Sequence, residues 1–180
     1  VRARLVLVAV LIGASLSGCA TAPATSGVDA QLEYLHTYVD ERNAEAFGSL
    51  SGTDCVNFTS QGLLARGWEQ NSEWWHVDIL GWHRYAKPWI SSTAFSDYLS
   101  EHPELAEPTD AAGVVLGDIL QFDWDDSGNR DHTATVSRID ADGSIYVIQH
   151  SEDAEYASAT QLIADHDAGI GQIYYWHLVD

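Results

Sequence analysis

The chain has 180 residues and a mass of 19.7 kDa, with 27 Asp and Glu against 8 Lys and Arg. That length suits one domain with a real core and is short for two. A net charge of −19 argues against nucleic acid, and against anionic wall polymers or lipid headgroups as electrostatic partners. It favours neutral or cationic substrates, although the same balance also serves solubility or salt adaptation.

The first residues read as an export signal. Arg2 and Arg4 give a basic start, Leu5 to Ile12 an apolar run too short to span a bilayer as a stable anchor, and Leu16-Ser17-Gly18-Cys19 follows at once. Residues 1–18 are therefore expected to be removed. The sequence L-S-G-C resembles the bacterial lipobox, which implies that Cys19 carries acyl chains such as palmitate and tethers an exported protein to the cell membrane from outside. Residues 19–28, which include T-A-P-A-T-S-G, are expected to form the lipidated end and a flexible spacer, with the domain proper over 29–180. Without Arg2 and Arg4, six basic residues face 27 acidic ones, a charge of −21.

From Asp29 to Phe47, Leu32, Leu35, Val39 and Ala46 recur near helical spacing, with Tyr34 and Tyr38 widening the stripe. This predicts an amphipathic helix capped by Ser26 or Asp29. Gly48 to Thr53 is a turn-rich loop, and Asp54 then starts a second helix that Gly67 ends. Cys55 falls in its first turn, where the positive end of the macrodipole favours a thiolate. It reads either as a nucleophile or as a small buried hydrophobe. If Cys19 is a thioether, Cys55 has no partner for a disulfide, and an unpaired exported thiol points toward use as a nucleophile.

Trp68 to Pro88 is dense in aromatic residues without clear periodicity and is expected to be a long ordered loop. A helix is predicted over Thr93 to His102, capped by Ser92 and stopped by Pro103. Beyond Ala112 the period changes to alternation. Val114–Phe122, Asp131–Ile139, Ser144–His150 and Ile173–Val179 are predicted strands, with Asp140-Ala141-Asp142-Gly143 as a hairpin turn. Helices first and sheet second make an α+β fold.

Folding the hairpin about Ala141 brings His132 opposite His150, give or take one residue of register. A Cys, a His and a second polar group are the parts for acyl transfer through a thioester. His132 would exchange the thiol proton and protonate the leaving amine, the second group would orient its ring, and the Cys55 N–H would serve an oxyanion.

The blocks D-C-V-N-F-T-S-Q, a tryptophan-rich insertion, G-D-I-L-Q-F, D-H-T-A-T-V and Q-H-S-E-D occur in this order. Together, over roughly Leu32 to Val179, they resemble the bacterial putative amidase domain family, a branch of the papain-like thiol superfamily related to NlpC-type and CHAP cell-wall enzymes. The resemblance implies Cys55 as nucleophile, His132 as base, and the Cys helix packed on an antiparallel sheet. It places His150 as the third member, with Ser151 and Asp153 as neighbours able to substitute.

Asn57, Gln61 and Trp75 are candidates for substrate or oxyanion contacts, the first two being equally suited to capping or a helix surface. The tryptophans suit a substrate groove or the core. Six further histidines show no zinc-like spacing, so no metal and no cofactor are expected. The expected partner is an amide or peptide substrate, the natural exported pool being cell-wall peptide, and the expected state is a monomer. Two other readings remain: a surface-anchored binding module on the same scaffold using the tryptophan-rich loop, and an acyltransferase passing the acyl group to an amine or alcohol.

Overall fold

The computed structural model describes residues 26–166 and 169–179. The expected signal at 1–18, Cys19 and most of the spacer lie outside them. Helix α1 spans Gly27–Tyr38, with the Ser26 hydroxyl accepting the Asp29 N–H at 3.1 Å. The helix ends earlier than its apolar stripe suggests: residues 39–43 form a bend, and Ala44–Phe47 make a separate short helix, α2.

Helix α3, Cys55–Arg66, is the central element, and Gly67 closes it in the left-handed region at φ 113°. Its residues from Cys55 to Leu63 are all buried, including Asn57, Ser60 and Gln61. These polar groups satisfy one another's neighbours: Asn57 Oδ1 accepts from Trp89 Nε1, Ser60 Oγ from Trp74 Nε1, and Gln61 Oε1 from the Tyr34 hydroxyl. Burial without such partners would cost about 1–3 kcal/mol for each group. Gly62 lets α1 approach closely, since a Cβ there would meet Leu35 Cδ2 at 2.9 Å.

The aromatic stretch after Gly67 is more structured than its pattern indicates. It holds an antiparallel hairpin, β1 (His76–Ile79) and β2 (Trp82–Tyr85), and the short helix α4 (Lys87–Ile90). Trp74 and Trp89 are fully buried beside α3, whereas Trp82 is 79% exposed near the hairpin tip. Helix α5, Ser92–Glu101, is capped by Ser91 rather than Ser92.

Six strands follow: β3 (Ala106–Thr109), β4 (Ile119–Asp123), β5 (His132–Ile139), β6 (Ile145–Gln149), β7 (Ala154–Ser158) and β8 (Gln172–Leu178), with helix α6 (Ala159–Asp165) after β7. They form one antiparallel sheet in the order β3-β8-β4-β5-β6-β7. The expected α+β class is thus the one adopted. Edge strands β3 and β7 carry too few apolar residues to show alternation and lie outside the four predicted strands. Alternation along each strand feeds two cores. Ile119, Trp176 and Leu178 pack with α3, α4 and α5, while Leu120, Phe122, Ala134, Val136 and Val147 pack with Leu162 of α6.

The hairpin turn forms where predicted. Asp140 N–H donates to Ser144 O, Gly143 N–H to Asp140 O, and Gly143 sits at φ 88°, a conformation glycine adopts without strain.

Candidate active site

Helix α3 delivers Cys55 and strand β5 delivers His132 to one place. Both line a cleft of about 480 Å³ together with Gln149, Ser92, Trp124, Asp131 and Glu152. Ser92 Oγ lies 3.8 Å from the Cys55 sulfur, and the His132 ring and the Thr133 N–H are near enough to favour its thiolate. Burial pushes the Cys55 thiol up, but His132, Thr133 and Ser92 outweigh it and hold its pKa below the ordinary value. Cys55 is 7% exposed and lines the cleft, so it is packed yet borders the open space.

One nitrogen of the His132 ring is held by an amide. His132 Nε2 lies 3.0 Å from Gln149 Oε1, which leaves Nδ1 as the nitrogen available to sulfur. Because the Gln149 oxygen only accepts, it selects the ring form protonated at Nε2. Gln149 Nε2 in turn donates to Glu152 O at 2.9 Å, fixing which end of the amide faces the histidine.

His150 does not stand beside His132, and the expectation that it does is corrected here. The β5–β6 ladder pairs Ile139 with Ile145 and Arg138 with Tyr146, then shifts by one residue so that Val136 meets Val147 and Thr135 meets Ile148. That bulge reverses the parity between the two strand ends. Gln149 therefore shares the His132 side, and His150 points to the opposite side, toward α3. There it is 1% exposed, stacks on Phe58 at 3.6 Å, and lies 2.8 Å through Nδ1 from Asp54 Oδ2 and 3.0 Å through Nε2 from Tyr38 O. His150 thus bridges the Asp54 carboxylate and the carbonyl that ends α1.

Asp54 does start the Cys helix, but its side chain makes no cap bond to it. The carboxylate accepts instead from Leu50 N–H, Asn57 Nδ2 and His150, with Arg42 Nε at 3.3 Å. Burial raises its pKa, yet these donors prevail and hold it below the ordinary carboxylate value.

The other candidates fall elsewhere. Asn57 is bound to Asp54 and Trp89, and Gln61 to Tyr34, both inside the protein, so neither reaches the cleft. Trp75 precedes β1 and is not part of the cleft wall, which uses Trp124 instead. Ser151 does line it, at φ 85°, while Asp153 forms a bidentate pair with Arg42, both bonds 2.8 Å. The residue that sequence reasoning passed over is Gln149, although it stands in the quoted Q-H-S-E-D block. Strand parity carried the signal, but only with the bulge known.

Beside the cleft, Asp123, Asp125 and Asp131 bring carboxylate oxygens within 4.8 Å of one another, a group able to approach a cation. Asp123 already accepts from Ser127 and Gly128 N–H, and Asp131 from Trp124 N–H, so the arrangement is explained by the loop it shapes.

A family profile described as a putative amidase domain matches residues 27–174. No curated protein and no solved structure matches the chain.

Proposed function

The chain belongs to the putative amidase domain family, and from that premise we propose that it hydrolyses amide bonds through a thioester on Cys55. The observation that carries this reading is the sulfur–imidazole–amide series Cys55, His132, Gln149 lining one cleft. The Cys55 proton passes to His132 Nδ1 and the thiolate attacks the amide carbonyl. Negative charge then develops on the carbonyl oxygen, within reach of the Cys55 N–H at the start of α3. His132 returns the proton to the leaving nitrogen as the C–N bond breaks, and a thioester remains. Water enters, gives a proton to Nδ1 and attacks; the acid departs and the thiolate is restored. Gln149 keeps the ring in the tautomer and orientation that every step uses. The arrangement is of papain-like type, with a glutamine in the orienting position.

Peptide amides of the cell wall are the proposed substrates, with the protein exported and lipid-anchored through Cys19. The basic start, apolar run and L-S-G-C of the first nineteen residues support that location. No helix among the described residues is long and apolar enough to cross a membrane. Acyl transfer to an amine or alcohol uses the same first half-reaction. A binding role is favoured by one observation, the exposed apolar side chains of Val77, Ile79, Leu80 and Trp82 on the β1–β2 hairpin.

The test is incubation with purified wall peptides, followed by mass spectrometry for a gain of water with and without an added amine acceptor. Hydrolysis predicts a free acid whose yield depends on Cys55, and transfer predicts an acceptor adduct. Binding that survives Cys55→Ala with no product from the unaltered protein would replace the enzyme reading.

A further inference from the structure

The charge of the cleft lining is biased to the acidic side. Among its lining residues Arg130 is the single Lys or Arg; its guanidinium carbon lies 3.2 Å over the Tyr174 ring and Nη1 donates to Gly128 O at 2.8 Å, while its buried Nε has no partner among the described residues. Tyr174 belongs to the adjoining groove between β8 and α5, not to the cleft. Two carboxylates remain. Asp131 engages Trp124 N–H through Oδ2 alone, and the exposed Glu152 carboxylate has no partner among the described residues.

Glu152 is also placed with respect to the reacting groups. One Gln149 side chain binds the His132 ring through its oxygen and the Glu152 carbonyl through its nitrogen. The turn carrying Glu152 is therefore tied by a single rigid amide to the proposed base. Trp124 and His166, stacked at 4.0 Å, add an aromatic surface to the cleft lining. Carboxylates beside an aromatic face attract an ammonium group and repel an anion.

Resting on the amidase reading above, we propose that the cleft selects amides bearing a free aliphatic amine near the scissile carbonyl, with Glu152 as the specificity-determining residue. Asp131 and the Trp124 face, in the same cleft lining, support the same preference. The acidity of the whole chain reinforces it at longer range, and added salt weakens that longer-range part.

Two small thiol reagents separate this inference from the enzyme reading: N-(2-aminoethyl)-2-chloroacetamide, cationic at neutral pH, and its uncharged N-(2-hydroxyethyl) counterpart. Each alkylates a thiolate with loss of chloride, so the rate at Cys55, followed by peptide mass on the full chain and divided by the rate with free cysteine, reports the cleft's charge preference. The unaltered protein is expected to favour the amine reagent about five- to tenfold. Glu152→Gln should bring the ratio toward one and Glu152→Lys should invert it, with thermal unfolding as the check that both variants fold. The same ordering is expected in kcat/KM for a lysine-containing peptide amide against its norleucine isostere. Alkylation without charge preference, or a preference untouched by Glu152→Gln and Glu152→Lys, would overturn the specificity role and leave the thiol reading standing. Failure of both reagents at Cys55 would remove the reactive thiol and the inference with it.

Discussion

His132 and Gln149 are joined across β5 and β6 by a 3.0 Å contact from Nε2 to Oε1, and both residues are buried. The bond fixes the Nε2 side of the imidazole and leaves Nδ1 as the nitrogen available to sulfur. Gln149→Ala should lower kcat about 10- to 100-fold with a much smaller effect on KM, because orientation matters most in the transition state. Gln149→Glu should fail differently. A carboxylate at this point favours the doubly protonated ring and should displace the pH–rate profile, which a merely structural role would not do.

The Cys55 thiol has a pKa below its ordinary value despite its burial, because His132, Thr133 N–H and Ser92 stabilise the thiolate more than burial penalises it. Iodoacetamide labelling followed against pH should therefore reach half its maximum below the midpoint of a free thiol. Removing the largest stabilising partner with His132→Ala leaves burial opposed only by Thr133 and Ser92. The midpoint should rise and labelling at neutral pH should slow, in a protein whose fold persists. A midpoint unmoved by His132→Ala would mean that the imidazole does not act on the sulfur.

His150→Ala should behave unlike His132→Ala. His150 is sealed among Phe58, Asp54 and the Tyr38 carbonyl and contributes nothing to the cleft surface. Its loss leaves the buried Asp54 carboxylate short of a donor and the last turn of α1 without its tie to β6. Leaving a buried polar group short of a hydrogen-bond partner costs about 1–3 kcal/mol, and more for a carboxylate, of which Arg42 and Asn57 should recover part. Chemical denaturation should show a loss of about 3 kcal/mol for His150→Ala and under about 1 kcal/mol for His132→Ala. Equal losses in the two variants would refute the division of labour.

Much of this site was legible in the sequence because it rests on local rules. Cys55 stands at a helix start announced by Asp54 and closed by Gly67, and the D-A-D-G turn fixes where β5 and β6 meet. What could not be read is the ladder shift between Val136 and Arg138. Ser137 falls at that shift, and its hydroxyl donates to Glu155 O at 2.7 Å on β7, two strands away, a tertiary contact that no local pattern announces. A two-residue period turns that single insertion into an exchange of faces, so His150 and Gln149 trade places. The hairpin β1–β2 was hidden for a different reason. Its turn runs through Leu80 at φ 55° and Gly81 at φ 83°, and a leucine in the left-handed region is not a turn signal. The splitting of the first predicted helix follows from Arg42, whose pairing with Asp54 and Asp153 needs a bend that the apolar stripe does not encode.

Stability at low pH should follow Asp54. Its folded pKa is lowered, since donors from His150, Asn57 and Leu50 N–H overcome the penalty of burial. A lowered carboxylate contributes stability that is complete above its unfolded value of about 3.9 and disappears as pH falls through the folded value. The thermal midpoint should thus hold from neutral pH down to about 5 and decline below that. Asp153 is lowered in the same direction, chiefly by its hydrogen bonds to Arg42, but its side chain is 33% exposed and the pair is screened by solvent. Asp54→Asn keeps the shape while removing the charge, so it should cost roughly 2–3 kcal/mol at neutral pH and flatten the acid decline. Asp153→Asn should cost under about 1 kcal/mol and leave most of the decline in place. An acid limb that survives Asp54→Asn undiminished would show that the buried carboxylate beneath the Cys helix is not the group whose protonation loosens it.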